Sequence, residues 1–259
     1  MVRGAQRTLL PFLLFAGVWE LLGLWLGPKV LPGPVPVFLR LCGELADPVF
    51  LGHCLWSLWR ASAGIALGFL TCYPLGLALG SLRAFDRLLA PLVFLTYPVP
   101  KVLLLPVLLV LLGLGEAPKV ALVALTVGYQ VLVVTRDRAL GLDPRYRDSF
   151  LCVWPGGPGG GGRLPRALGY ARAVLVPWTL PSAITSLRLA SGTAVAVLFM
   201  AESFATRTGL GFVIMDYWGL MDLPGMFSGI IAMGALGGLF FWLSNVAARI
   251  LCPWEGRGG

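Results

Sequence analysis

Long stretches with at most one charged side chain recur along this chain, and short basic segments separate them. A helix needs about 20 apolar residues to cross a hydrocarbon core of about 30 Å. Inside that core every backbone N–H and C=O must be satisfied within the protein. The stretches therefore predict membrane-spanning helices. Composition agrees: 58% of residues are hydrophobic and 12% are charged, where soluble domains carry about 25% charged residues. The fold class expected is all-α integral membrane, with about six transmembrane helices. They fall near residues 9–27, 56–80, 88–113, 118–135, 187–204 and 227–250 of a single transmembrane domain covering 1–259.

The first run, Leu9–Leu26, follows Arg3 and Arg7 and has no small-residue cleavage site after it, so it reads as a span rather than a signal peptide. With six spans both termini share a side. Fourteen of the twenty Lys and Arg then fall on that side: Arg3, Arg7, Arg83, Arg87, Arg249, Arg257 and eight between residues 136 and 188. The positive-inside rule makes it cytoplasmic, and the expected location is the inner (cytoplasmic) membrane, multi-pass, with lipid as the surrounding partner. The net charge of +8 is a topology signal here. No basic face with interleaved aromatics suggests nucleic acid.

Within the spans, Gly64, Gly68, Gly76 and Gly80 are spaced by multiples of four, which lets helix backbones approach closely. Residues 88–113 are unusual. Pro91, Pro98, Pro100 and Pro106 interrupt them, and Lys101 sits in Tyr97-Pro98-Val99-Pro100-Lys101. Broken helix at membrane depth belongs where it is buried in protein or lines a cavity. Two readings of Lys101 stand: it faces a pathway, or its stem snorkels to an interface. Tyr97, Pro98, Pro100, Lys101 and Glu202 are the candidate translocation-path residues. Residues 31–47 predict a short amphipathic helix at the outer interface, with Val37, Phe38, Leu41 and Leu45 at helical spacing. The five cysteines are scattered and His53 is the single histidine, so no metal site is expected.

The segment 136–186 is the longest polar interval. It contains Asp143-Pro144-Arg145-Tyr146-Arg147-Asp148, Leu168-Gly169 and Val176-Pro177-Trp178-Thr179-Leu180-Pro181. Elsewhere stand Trp19-Glu20-Leu21-Leu22, Leu31-Pro32-Gly33-Pro34, Ser57-Leu58-Trp59-Arg60, Pro100-Lys101-Val102, Ala201-Glu202 and Gly209-Leu210-Gly211. In this order they resemble the ABC-importer permeases of the binding-protein-dependent nitrate/sulfonate/taurine type, with 136–186 as their EAA loop.

The resemblance implies a type I ABC-importer permease arrangement, a homodimer, a cytoplasmic ABC ATPase on each subunit and an extracytoplasmic solute-binding protein. It implies ATPase-coupling roles for Asp143, Pro144, Asp148, Arg166, Leu168, Gly169, Pro177 and Pro181. ATP with Mg would be used by the partner ATPase, and this chain would bind no cofactor and catalyse nothing itself. The solute implied is small: an anion such as a sulfonate, taurine or nitrate, or a vitamin precursor.

The family's Glu-Ala-Ala is Asp148-Ser149-Phe150 here, and Leu151–Pro165 intervenes before Leu168-Gly169. Glycine and proline at the density of residues 155–162 cannot continue a helix. Either the coupling helix is split in two, or it re-forms over Pro165–Val174 with the glycine run looped out. The lack of breakers in Arg166–Val176 other than Gly169 favours the second. The run is no P-loop, for Gly162 precedes Arg163-Leu164-Pro165 rather than Lys and Ser or Thr. The alternative function is an ion-coupled secondary transporter working without an ATPase. Such folds show inverted repeats and paired intramembrane charges, and only Glu20, Lys101 and Glu202 are candidates here. An integral membrane enzyme is poorer still, because no nucleophile–base set occurs.

Overall fold

The computed structural model describes residues 2–153, 163–204 and 206–254, with side chains from residue 10 and, after the gap at 154–162, from residue 165. It is 86% helical, with no strand among the described residues, and the chain is an all-α integral membrane protein. The helices are α1 (Val2–Leu26), α2 (Pro34–Glu44), α3 (Pro48–Ser81), α4 (Arg83–Thr96), α5 (Leu105–Leu112), α6 (Ala117–Leu140), α7 (Pro144–Val153), α8 (Arg163–Tyr170), α9 (Val176–Ser203), α10 (Leu210–Gly219) and α11 (Leu223–Leu251). A 3-10 turn, Lys101–Leu104, leads into α5, and a π-helical turn, Ala171–Leu175, leads into α9.

Four helices are long and apolar enough by themselves to cross a membrane: Pro48–Ser81, Ala117–Leu140, Pro165–Ser203 and Leu223–Leu251. α4 and the segment Lys101–Leu112 reach that standard only together, as a pair bent by 93°. Leu10–Leu26 is a shorter apolar helix. Large apolar side chains point outward, with Trp25 81% exposed and Val110 85% exposed. Such a surface suits a hydrocarbon solvent rather than water.

Several helices extend beyond their apolar runs. α3 begins at Pro48, because proline suits a first helical turn and the Asp47 carboxylate accepts the Val49 N–H at 3.0 Å. Leu82 is the single residue between α3 and α4, where the sequence suggests a loop over residues 81–87. α9 starts at Val176, so Pro177 and Pro181 lie on a helix rather than in a loop. Residues 206–224, between the last two expected spans, contain α10. The amphipathic helix expected within residues 31–47 is present as α2.

The chain divides into two compact units, Met1–Trp59 with Phe199–Ala235, and Arg60–Leu198 with Leu236–Gly259. The second unit is built on the contact of α3 with α6. Leu122, Val123, Val127 and Val131 of α6 are fully buried. The four spaced glycines of α3 make that contact: a Cβ on Gly64 would stand 2.6 Å from Val123 Cβ, and one on Gly68 would stand 2.6 Å from the Ala124 carbonyl oxygen. On Gly76 it would meet the Leu132 carbonyl oxygen at 2.8 Å, and on Gly80 the Ala139 Cβ at 2.4 Å. Close backbone approach replaces the hydrophobic drive that helices lack in lipid.

The first unit is organised around a buried carboxylate. Glu202, fully buried near the end of α9, accepts the Ser57 hydroxyl and, at 2.9 Å, the Gly211 N–H. Ser57 Oγ receives the Leu210 N–H at 2.8 Å, and His53 Nδ1 receives the Gly209 N–H at 3.1 Å. These acceptors take up N–H groups that open α10 and have no helical partner. The Gly-Leu-Gly spacing follows. Gly209 has φ of 108°, and a Cβ on Gly211 would stand 2.6 Å from Glu202 Cβ. Trp19 ties α1 to the segment before α2, its Nε1–H donating to the Pro32 carbonyl at 3.0 Å.

Two outcomes are expected from thermal unfolding of the full chain in detergent. Gly68→Ala lowers stability by about 1–3 kcal/mol, the usual cost of overpacking, whereas Gly52→Ala, with nothing within 4 Å of its Cβ, does not lower it and adds up to about 1 kcal/mol of helix propensity. Glu202→Ala costs about 3 kcal/mol by stranding buried donors, and Glu202→Gln costs less because one acceptor oxygen remains.

Candidate functional site

The residues from 136 onward form a helical face rather than a polar loop. α6 carries Arg136 and Arg138 on its last turns. Arg136 is held against Asp86 of α4, with Nη2 to Oδ2 at 2.9 Å, and its guanidinium lies 4.9 Å from the Phe94 ring centre. Asp143 caps α7 by accepting the Arg145 N–H at 2.9 Å, with Pro144 as the first helical residue. Asp148 lies on α7 and Arg166, Leu168 and Gly169 lie on α8. The glycine run at residues 154–162, which the sequence reading loops out, lies outside the described residues. Helix stands on both sides of it, and the Phe150 and Tyr170 rings meet edge to face at 5.5 Å. Burial pushes the Tyr170 phenol above its ordinary range, with Arg147 pulling the other way. Leu168 is 62% exposed and so free to meet another surface.

Pro177 and Pro181, on the first turns of α9, wall a cavity of about 380 Å³ together with Arg138, Tyr146, Trp178 and Trp254. Trp178 donates its indole N–H to the Arg138 carbonyl at 2.9 Å while the Arg138 guanidinium stacks 4.0 Å from its ring. The Tyr146 ring centre lies 6.3 Å from that of Trp178. Arg138, Trp178 and Trp254 are absent from the sequence-based set. Nothing in local spacing joins residue 138 to residue 254, although Trp178 stands between the two prolines that were singled out.

Tyr97, Pro98, Pro100 and Lys101 come together at the break between α4 and α5, in the second unit. The Lys101 ammonium is tied to the backbone of the break itself. It turns back and donates to the carbonyl oxygens of Thr96, Tyr97 and Val99 at 2.7, 3.0 and 2.9 Å. Glu202, the fifth candidate, belongs to the first unit, where it binds the start of α10.

Two further ionic clusters escaped the sequence reading. In the second unit Arg60 and Lys119 are fully or nearly fully buried, and both engage Glu116, at 2.9 Å from Arg60 Nη2 and 3.1 Å from Lys119 Nζ. The Arg60 hydrogen bond holds the Glu116 carboxyl below its ordinary range, against burial and with help from Lys119. In the first unit Arg40 bridges Glu44 and Asp222, each at 3.0 Å. Burial, and then the Glu44 carboxylate beside it, push the Tyr217 phenol up to about 12. A lone cation within an apolar run was the available signal for Arg60. Among the described residues no group of three His, Cys, Asp or Glu is placed to hold a metal ion.

No family model matches the chain. It is 29% identical over 260 residues to a probable ABC transporter permease protein of Brucella abortus, covering 98% of this chain and 97% of the relative. It is 28% identical over 252 residues to the formylaminopyrimidine transport permease protein ThiX of Halalkalibacterium halodurans, covering 97% and 96%. It is also 28% identical over 262 residues to a putative aliphatic sulfonates transport permease protein SsuC of Bacillus subtilis, covering 96% and 87%. The homologues of this multi-pass membrane chain, matched over nearly its whole length, are thus ABC transporter permeases.

Proposed function

We propose that the chain is the membrane permease subunit of an ATP-driven importer. The observation that carries this reading is near end-to-end similarity to ABC transporter permeases in a chain that presents an exposed helical element, α7 and α8, amid arginines. The subunit works as a homodimer in the inner membrane, with both termini in the cytoplasm and six spans in the type I arrangement. A cytoplasmic ABC ATPase hydrolyses Mg-ATP and docks on α7, α8 and the first turns of α9, and an extracytoplasmic solute-binding protein delivers the solute. The names of the relatives point to a small sulfonate or a formylated aminopyrimidine as that solute.

Docking makes mechanical sense at this place. α8 continues through the π-helical turn into α9 as one helical stretch, Pro165–Ser203. A push on Leu168 is therefore delivered along a helix that runs into the membrane. Rigid-body motion of packed helices is the ordinary way such a push becomes a change of access. Asp143, Pro144 and Asp148 fix the start and outer face of α7, Arg166 and Gly169 flank Leu168, and Pro177 and Pro181 shape the root of α9.

Co-expression with an ABC ATPase encoded beside this chain tests the reading. The two are expected to co-purify, and proteoliposomes containing both are expected to accumulate radiolabelled sulfonate or formylaminopyrimidine only with the binding protein and ATP. Uptake driven by an ion gradient in vesicles lacking ATP would refute it. In the same assay Leu168→Asp is expected to weaken ATPase binding by about tenfold or more, the scale of losing one interface hot spot, and to reduce uptake in parallel. Wild-type coupling in Leu168→Asp would move the docking surface elsewhere.

A further inference from the structure

α4 ends at Thr96, and the chain turns through 93° before α5. The last carbonyls of a helix have no helical donor, and Pro98 and Pro100 have no N–H to offer. In lipid such carbonyls need another partner. The Thr96 carbonyl takes the Val99 N–H at 3.2 Å, and the Lys101 ammonium reaches that carbonyl and two more. It has three protons, and three carbonyl oxygens, those of Thr96, Tyr97 and Val99, lie at 2.7, 3.0 and 2.9 Å. The remaining side is closed by the Tyr129 ring of α6, whose centre is 4.2 Å from Nζ. Tyr129 is itself fixed to α4, its hydroxyl 2.8 Å from Thr96 Oγ1. The Tyr97 ring stands farther off, at 5.9 Å.

Three carbonyl oxygens and one ring face form a coordination shell suited to a small monovalent cation. We propose that the break holds a monovalent-cation site filled by the protein's own Lys101 ammonium, and that this occupancy sets the angle between α4 and α5. Lys101 is then a positioning residue. Its protons are committed to backbone, so it shapes the broken span instead of attracting an anionic solute. Tyr129 carries the site onto α6, which links the angle of the break to the most buried helix of the unit. This inference goes beyond the transport reading and stands independently of whether an ATPase drives the protein.

The test uses the full chain in lipid nanodiscs, with Cys42, Cys54, Cys72, Cys152 and Cys252 replaced by serine or alanine. Spin labels are placed at exposed Leu92 on α4 and exposed Val110 on α5, and their separation is measured by pulsed electron resonance. With Lys101 present, one narrow distance is expected. Lys101→Ala is expected to lose that peak, and methylammonium chloride is expected to restore it by filling the vacated shell. Tetramethylammonium, too large to sit among the three oxygens, is expected to restore nothing. An unchanged distance in Lys101→Ala overturns the proposal. So does a lost peak that methylammonium leaves lost, or recovery with both salts alike. If Lys101→Ala does not fold, Tyr129 decides. Tyr129→Leu is expected to broaden the distribution and Tyr129→Phe, which keeps the ring, to preserve it; matching distributions in the two overturn the proposal. No ATPase, binding protein or solute enters the experiment, so its failure leaves the importer reading where it was.

Discussion

Lipid offers no hydrogen bonds, and that constraint explains most of the polar detail in this structure. At two helix ends a named side chain takes over groups left behind. Glu202 and Ser57 receive the N–H groups that open α10, and Lys101 supplies protons to the carbonyls around the end of α4. Thr71, Thr96, Thr126, Thr179 and Ser244 return their hydroxyls to the carbonyl four residues back. Polar residues in an apolar chain are few, and those described are spent largely on backbone. This is why a charge inside a span is a poor guide to solute contact: an unsatisfied group costs several kcal/mol at depth, roughly as much as the charge itself.

Much of the fold was legible because the membrane makes patterns local. Apolar length marks a span without reference to any other part of the chain. Glycines at multiples of four mark a close helix face, and Gly64, Gly68, Gly76 and Gly80 do pack on α6. Gly209-Leu210-Gly211 was a recognisable landmark whose reason appears only in three dimensions, as the room needed beside Glu202. Prolines were less informative than they looked. Pro98 and Pro100 announce a break, but its angle involves a lysine reaching back and a tyrosine on α6. Pro48 and Pro144 sit in first turns, where proline is tolerated, and so failed to mark loops.

The basic segment shows the same division. Asp148, Leu168, Pro177 and Pro181 lie on successive helices of one unit, and Asp143 caps the first of them. What spacing could not reveal is that Arg138 and Trp254, far apart in the chain, join Pro177 and Pro181 around one cavity. Nor could it reveal that α8 and α9 form one helical stretch through a π-helical turn. Arginines that looked like loop residues belong partly to the end of α6, where Arg136 and Arg138 stack on Phe94 and Trp178. Aromatic rings there hold cationic ends whose charge the membrane interior would reject.

The contact of α3 with α6 has an asymmetry of its own. On the α3 side it is made largely by glycines, which have no side chain to shrink or swing to another rotamer, with Cys72 Sγ standing 2.6 Å from where a Cβ on Gly128 of α6 would lie. The side-chain atoms that face those glycines lie on α6, at Val123, Thr135 and Ala139. Where a glycine of α3 makes the contact, sequence drift falls to α6, which can exchange one small or β-branched residue for another, while the glycine has no smaller residue to fall back on. At those four positions the spacing of the two helices is set by backbone rather than by side chains.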